Sequence, residues 1–166
     1  THGFSFDLSH LAMKTATDAV FSQGKKWVEK ATEKSSVTVP AAGTIEVAFS
    51  PNEGAEALVV KVIDSARTEI RMMSYSFTSP VVAKALLSAR HRGVDVQLVA
   101  DWESNASKKK DGTWKSPKSI AAMSALVTAG ADVRTIDAYD IAHDKVIVVD
   151  GATVETGSFN YSAAAA

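Results

Sequence analysis

With 166 residues, 46% of them hydrophobic, the chain is long enough to bury one real core. A formal net charge of −1 gives no overall attraction to a polyanion, so any nucleic-acid site must be a local patch. The absence of cysteine excludes disulfides and thiolate metal sites, and no apolar run is long enough to span a membrane as a helix.

Residues 1–43 read as an N-terminal helical extension and linker. Leu8, Leu11, Ala12, Ala16, Ala19, Val20, Trp27 and Val28 recur at roughly helical spacing, Gly24 interrupts them, and the polar stretch Thr32–Thr38 leads through Pro40 to Gly43. Residues 44–166 read as the main domain. Ile45–Phe49 predicts a short strand, Glu53–Ala66 a helix and Thr68–Phe77 a strand. Ser79-Pro80 is a cap followed by proline and opens a helix that ends at Gly93. Val94–Ala100 predicts a strand, Ser119–Ala129 a helix closed by Gly130, and Asp132–Ile136 another strand before a hairpin over 143–157. Strands alternating with helices imply a mixed, mostly parallel α/β sheet, covered by helices on both faces and finished by an antiparallel hairpin.

The Asp101–Lys118 loop leaves the end of a strand, where ligands of α/β sheets bind. It carries Lys108, Lys109, Lys110, Lys115 and Lys118 with Trp114 among them, and Trp102 at its start. Lysines with an interleaved aromatic suit a nucleic-acid backbone and a stacked base; a solvated insertion is the alternative. Tyr75, Ser76 and Phe77 end another strand and are candidates for the pocket wall or the core.

The densest chemistry lies in His143–Asn160, HDKVIVVDGATVETGSFN. The β-branched run Val146–Val149 predicts a strand buried on both faces, and alternation places His143 and Lys145 on one side of it. Gly151 at the first central position suits a two-residue type II′ turn. That turn would set Lys145 opposite Ser158 and His143 opposite Asn160; a turn longer by one residue shifts the pairing. A helix starting after Asn160 would aim its first amides at the same place. Imidazole, ammonium, hydroxyl and amide together describe an anion site, most naturally for a phosphoryl group. A hairpin with a polar cluster and a structural histidine is the bland alternative.

The spacing His143-x-Lys145, Asp150 after four residues, then Gly157-Ser158-x-Asn160 after six resembles the HKD motif of the phospholipase D superfamily at every defined position. Residues from about 44 to 162 resemble its small single-motif bacterial Nuc-type endonucleases of conjugative plasmids. VAFSP at 47–51, SARTEIRMMSYSFTSP at 65–80 and ARHRGVDVQLVAD at 89–101 carry that likeness.

The resemblance implies a layered α/β/α sandwich and a metal-independent phosphodiesterase without cofactor, most naturally an endonuclease acting on DNA, with RNA as a further substrate. Since the motif occurs once, it also implies a homodimer sharing one active site. His143 is then the nucleophile and its counterpart in the second copy the acid/base. Lys145 and Asn160 hold the non-bridging oxygens, Ser158 supports them, and Gly157 allows close backbone approach. Asp150 completes the catalytic motif by name, and its place by the turn argues for a structural part. The family continues beyond the motif with an acidic residue that orients the histidine, then a strand and a helix, so the domain is expected to lack its C-terminal part. By resemblance the location is periplasmic or secreted in a bacterium, although the sequence does not open on a Lys/Arg-led signal peptide, as a mature exported chain would not either. Two other readings share the motif: a phospholipase D or phosphatidyltransferase acting on lipid, with membrane lipid the less favoured partner, and a non-catalytic binding component that keeps the fold.

Overall fold

The computed structural model describes residues 43–50 and 54–165. The chain divides into two units, Thr1–Ile45 and Glu46–Ala166, and every helix and strand below belongs to the second. The helical stripe expected within the N-terminal extension falls outside the described residues. Ile45–Phe49 forms no strand. A single bridge joins Phe49 to Gly54, and Ile45, Val47 and Phe49 are all exposed. Alternation alone does not make a strand when no ladder among the described residues takes up its amides.

The elements run α1 (Ala55–Ser65), β1 (Glu69–Ser74), α2 (Pro80–His91), β2 (Asp95–Asp101), α3 (Trp102–Asn105), α4 (Pro117–Thr128), β3 (Asp132–Ile136), β4 (Lys145–Val149) and β5 (Thr153–Thr156). One five-stranded sheet results, in the order β3-β2-β1-β4-β5. β1, β2 and β3 pair in parallel, β4 lies antiparallel to β1, and β5 returns antiparallel to β4. The sequence predicts a mixed sheet, and the one found has two parallel and two antiparallel pairings.

Burial alternates along the central strands up to the end of β2, where Asp101 is buried as well as Ala100. Ile70 and Met72 of β1, Val96, Leu98 and Ala100 of β2, and Ile147 and Val149 of β4 are buried and share one face. That face carries the helices: α1 lies over β4 and β5, α2 over β2 and α4 over β3, with α2 packed between α1 and α4. Two successive crossovers in the same direction, both of the usual hand, put α2 and α4 on one side. The opposite face, with Arg71, Met73, Gln97, Val99, Val146 and Val148, is only partly buried. Helices were expected on both faces; α1, α2 and α4 form the layer on the buried one.

Local signals set the helix ends. Ser79 is buried and its hydroxyl accepts the amide of Val82 at 3.2 Å, while Pro80 opens α2 without an amide to satisfy. Gly93, at φ 91°, turns the chain out of α2 and into β2.

Candidate active site

β1 ends where β4 begins, so antiparallel pairing sets Ser74 beside Lys145. The ladder continues one step further, as the Tyr75 amide donates to the Asp144 carbonyl at 2.9 Å. This brings the Tyr75 ring edge-on to the His143 imidazole, with centroids 4.5 Å apart. Tyr75 thus lines the site, whereas Phe77 is fully buried in the core. His143 is exposed. Lys145 is not: only 7% of it meets solvent, its Nζ donates to the His143 carbonyl at 3.0 Å, and it lies 5.4 Å from the Tyr75 ring centre. Burial lowers the Lys145 pKa from its ordinary value, and the charge of Asp144 opposes that shift. Lys145 forms no ion pair with a described residue. An exposed imidazole beside a desolvated, unpaired cation is the chemical core of the site.

The hairpin register differs by one from the expected pairing. Val149 faces Thr153 and Val146 faces Thr156, where the ladder ends. The Ala152 amide donates to the Val149 carbonyl, and both Asp150 (φ 53°) and Gly151 (φ 64°) are left-handed. Positive φ at both central residues is the type I′ signature, so Asp-Gly, not Gly first, sets this turn. Lys145 therefore does not face Ser158, nor His143 Asn160, across the ladder. Ser158 is exposed beyond its end. Asn160 is held in another way: the chain folds back so that the Tyr161 carbonyl accepts both the Thr78 and Ser79 amides, at 3.0 and 2.9 Å. Those amides lie just past the end of β1, so Asn160 is returned to the end of the sheet that carries His143 and Lys145. It is half-buried, flanked in sequence by Phe159 and Tyr161, whose buried rings pack edge to face on each other, and its Oδ1 has no partner among the described residues. The helix expected after Asn160 is only a turn, closed by the Ala165 amide on the Ser162 carbonyl. One turn fixes more dihedrals than its single hydrogen bond returns, and it presents no helix terminus to the site. At Gly157 a Cβ would meet nothing nearer than the Phe159 amide nitrogen at 4.0 Å, so the fold itself does not require glycine there.

Two polar residues that sequence reasoning passed over position these groups. Asp101, 2% exposed at the end of β2, accepts the Ala142 amide at 2.9 Å and the Ser104 amide at 2.8 Å. It therefore fixes the residue before His143. Asn105, fully buried, donates to the carbonyls of Tyr75 at 2.6 Å and Asp101 at 2.8 Å and accepts the Phe77 amide at 2.9 Å. The available signal was Asp at a strand end before a short turn, a helix-cap pattern with no mark of its second partner.

Asp150 stands apart from His143 and Lys145. It lies five residues along β4 from Lys145, about 17 Å at strand rise, at the opposite end of the sheet. Its carboxylate accepts the amides of Arg67, Thr68 and Glu69, each at 2.9 Å, and the Thr68 hydroxyl at 2.8 Å. Those donors, the Glu69 amide foremost, hold its carboxyl well below the usual carboxylate range. Asp150 ties the hairpin to the start of β1.

The lysine loop is folded. Lys108 and Trp114 form a bridge, the Lys109 amide donates to the Thr113 carbonyl at 2.8 Å, and Lys108 Nζ stands 4.5 Å above the Trp114 ring centre. Lys115 pairs with Glu103. Lys109, Lys110 and Lys118 are exposed and form no ion pair with the described residues. No group of three or more His, Asp or Glu side chains is arranged as metal ligands among the described residues.

Residues 59–166 match the family model described as cardiolipin synthase, PLD-like domain. The chain belongs to the phospholipase D-like family of enzymes. Its structure is similar to the crystal structure of a phospholipase D family member, Nuc from Salmonella typhimurium, with a TM-score of 0.66 and 47% identity over 73% of this chain and 74% of that one. NucT from Helicobacter pylori follows at a TM-score of 0.51 and 29% identity, covering 67% of this chain and 69% of that chain. The phospholipase D of Rickettsia conorii is 33% identical over 121 residues, which is 73% of this chain and 55% of that protein. The chain thus spans about half the length of the curated relatives it matches.

Proposed function

We propose that the chain is a phosphodiesterase that cleaves DNA by way of a phosphohistidine, at a site completed by a second copy. The observation that carries this is the pairing of exposed His143 with buried, unpaired Lys145. A desolvated ammonium without a carboxylate is costly unless an anion arrives, and a phosphodiester supplies one. His143 attacks phosphorus, a nitrogen–phosphorus bond forms, and the bond to the leaving oxygen breaks. The imidazolium of the second copy gives that oxygen its proton. Water then loses a proton to the same imidazole and displaces the phosphoryl group from His143. Lys145 and Asn160 hold the non-bridging oxygens, with Ser158 at the rim. Exposed Lys109, Lys110 and Lys118 attract the strand on either side of the scissile bond, and Trp114 offers it a stacking face beside Lys108. The likeness to Nuc and NucT supports the nucleic-acid substrate.

The test is digestion of supercoiled plasmid in excess EDTA, with sedimentation of the same sample. The intact chain should nick DNA as a dimer and His143→Ala should not. Equal nicking by both, nicking by neither, or an active monomer would each sink the proposal.

A lipid substrate is the second reading. It is favoured by the phospholipase D name of the Rickettsia relative and by exposed Tyr139 and Ile141 just before His143. Release of choline from phosphatidylcholine vesicles, abolished in His143→Ala, would support it over the first.

A further inference from the structure

Ser74 is 2% exposed, yet its Oγ has no hydrogen-bond partner among the described residues. A buried hydroxyl without a partner is disfavoured, and such groups in folded proteins point to a role or to a bound molecule. Its place makes the orphan informative. Ser74 is the last residue of β1 and the direct cross-strand partner of Lys145, on the same face of the sheet. Side chains so paired leave the backbone about 5 Å apart, within the span of one phosphate group. Lys145 itself has one acceptor, the His143 carbonyl, and keeps ammonium protons free. Two donors with unused capacity, the Ser74 hydroxyl and the Lys145 ammonium, thus stand on paired residues where β1 ends, and no hydrogen bond joins them.

We propose that Ser74 is a further substrate-binding residue, donating its hydroxyl proton to a non-bridging oxygen of the phosphodiester held at Lys145. It rests on the reading of the site as a phosphodiester site. No proton leaves Ser74; it adds a neutral donor where Lys145 supplies charge, and strengthens as the oxygen gains charge in the transition state.

The test compares the intact chain with Ser74→Ala and the near-isosteric Ser74→Cys, whose thiol is a poor donor. Three measurements are needed: thermal midpoint, hydrolysis of bis(p-nitrophenyl) phosphate, and binding of inorganic phosphate by calorimetry. One hydrogen bond to a charged oxygen corresponds to about a tenfold to hundredfold change. Both variants should lose that much in kcat/KM and several-fold in phosphate affinity, while the midpoint stays the same or rises because an unpaired buried hydroxyl has gone. Full activity in Ser74→Cys, unchanged phosphate affinity, or a midpoint drop of several degrees in Ser74→Ala would overturn the proposal, the last by showing that the hydroxyl serves the fold. If the intact chain binds phosphate but does not hydrolyse the ester, the functional reading fails and the calorimetry still decides Ser74.

Discussion

Asn105 grips the backbone on both sides of Ser76: its Nδ2 donates to the Tyr75 carbonyl and its Oδ1 accepts the Phe77 amide. An amide side chain with both ends engaged and no solvent contact acts as a staple between β2 and the exit of β1. Asn105→Ala leaves those backbone groups buried without partners, at about 2–4 kcal/mol for the set. The expected result is a lower thermal midpoint and, because Tyr75 is the wall against His143, a loss of kcat larger than any change in KM. An Asn105→Ala variant with unchanged midpoint and kcat would remove the staple from the account.

Lys145→Met should separate stability from chemistry. Burial lowers the Lys145 pKa, so the folded state holds this proton less readily than the unfolded chain does. The sign follows: the charged lysine costs stability at neutral pH, and the cost fades as pH rises through its lowered folded value. Methionine keeps the volume and drops the charge, so the variant should melt at or above the temperature of the intact chain at pH 7. Activity should fall by roughly a thousandfold or more, as expected for removal of a transition-state cation. Melting below the intact chain would contradict the reading of Lys145 as held for function.

Asp150 contributes stability where Lys145 costs it, and its contribution too grows with pH. Its folded pKa is lowered, so its contribution is present above the ordinary carboxylate value and is lost as pH falls through the folded one. Asp150→Asn replaces an acceptor facing the Arg67 amide with a donor on one side. The variant should show a lower midpoint at pH 7 and a smaller loss on acidification than the intact chain. Its kcat/KM per folded molecule should be unchanged at a temperature where it is folded, since the carboxylate lies at the far end of β4. A specific loss of kcat would return Asp150 to the site.

The lysine loop can be tested by salt dependence. Lys109→Ala with Lys110→Ala should weaken DNA binding about equally across sequences and flatten the slope of log K against log salt by roughly 1.4–1.8. Lys115→Ala should change that slope less, because its charge is already engaged by Glu103. A steeper response from Lys115 than from the pair would place the strand on the other side of the loop.

Elements governed by local periodicity were legible in the sequence. Ser79-Pro80 marks the start of α2, Gly93 its exit, and the Asp132–Ile136 strand is found where alternation put it. What failed to show locally was decided by distant partners. Ile45–Phe49 has a strand pattern but no ladder, and the hairpin shifted by one because Asp150 accepts a left-handed conformation while its side chain is held by residues 67–69. At the candidate site, the pairing of His143 with Lys145 could be read from spacing, whereas Asp101, Asn105 and Ser74 act through residues 28–71 positions away. Such contacts leave no period in a single chain.

The grip of Asp150 on residues 67–69 also bears on the order in which the molecule is made. β1 has both neighbours only once β4 is present, and β4 lies more than seventy residues later in the chain. A growing chain that has emerged as far as β3 therefore carries β1 with one bare edge, open to pairing with any extended segment nearby. The ladder that brings Ser74 to Lys145 is the same one that closes this edge, so the candidate site and the finished sheet arise in a single late step. Contacts of such separation make folding slow. A ribosome-stalled chain ending at residue 140 should be aggregation-prone, and one carrying the hairpin should not.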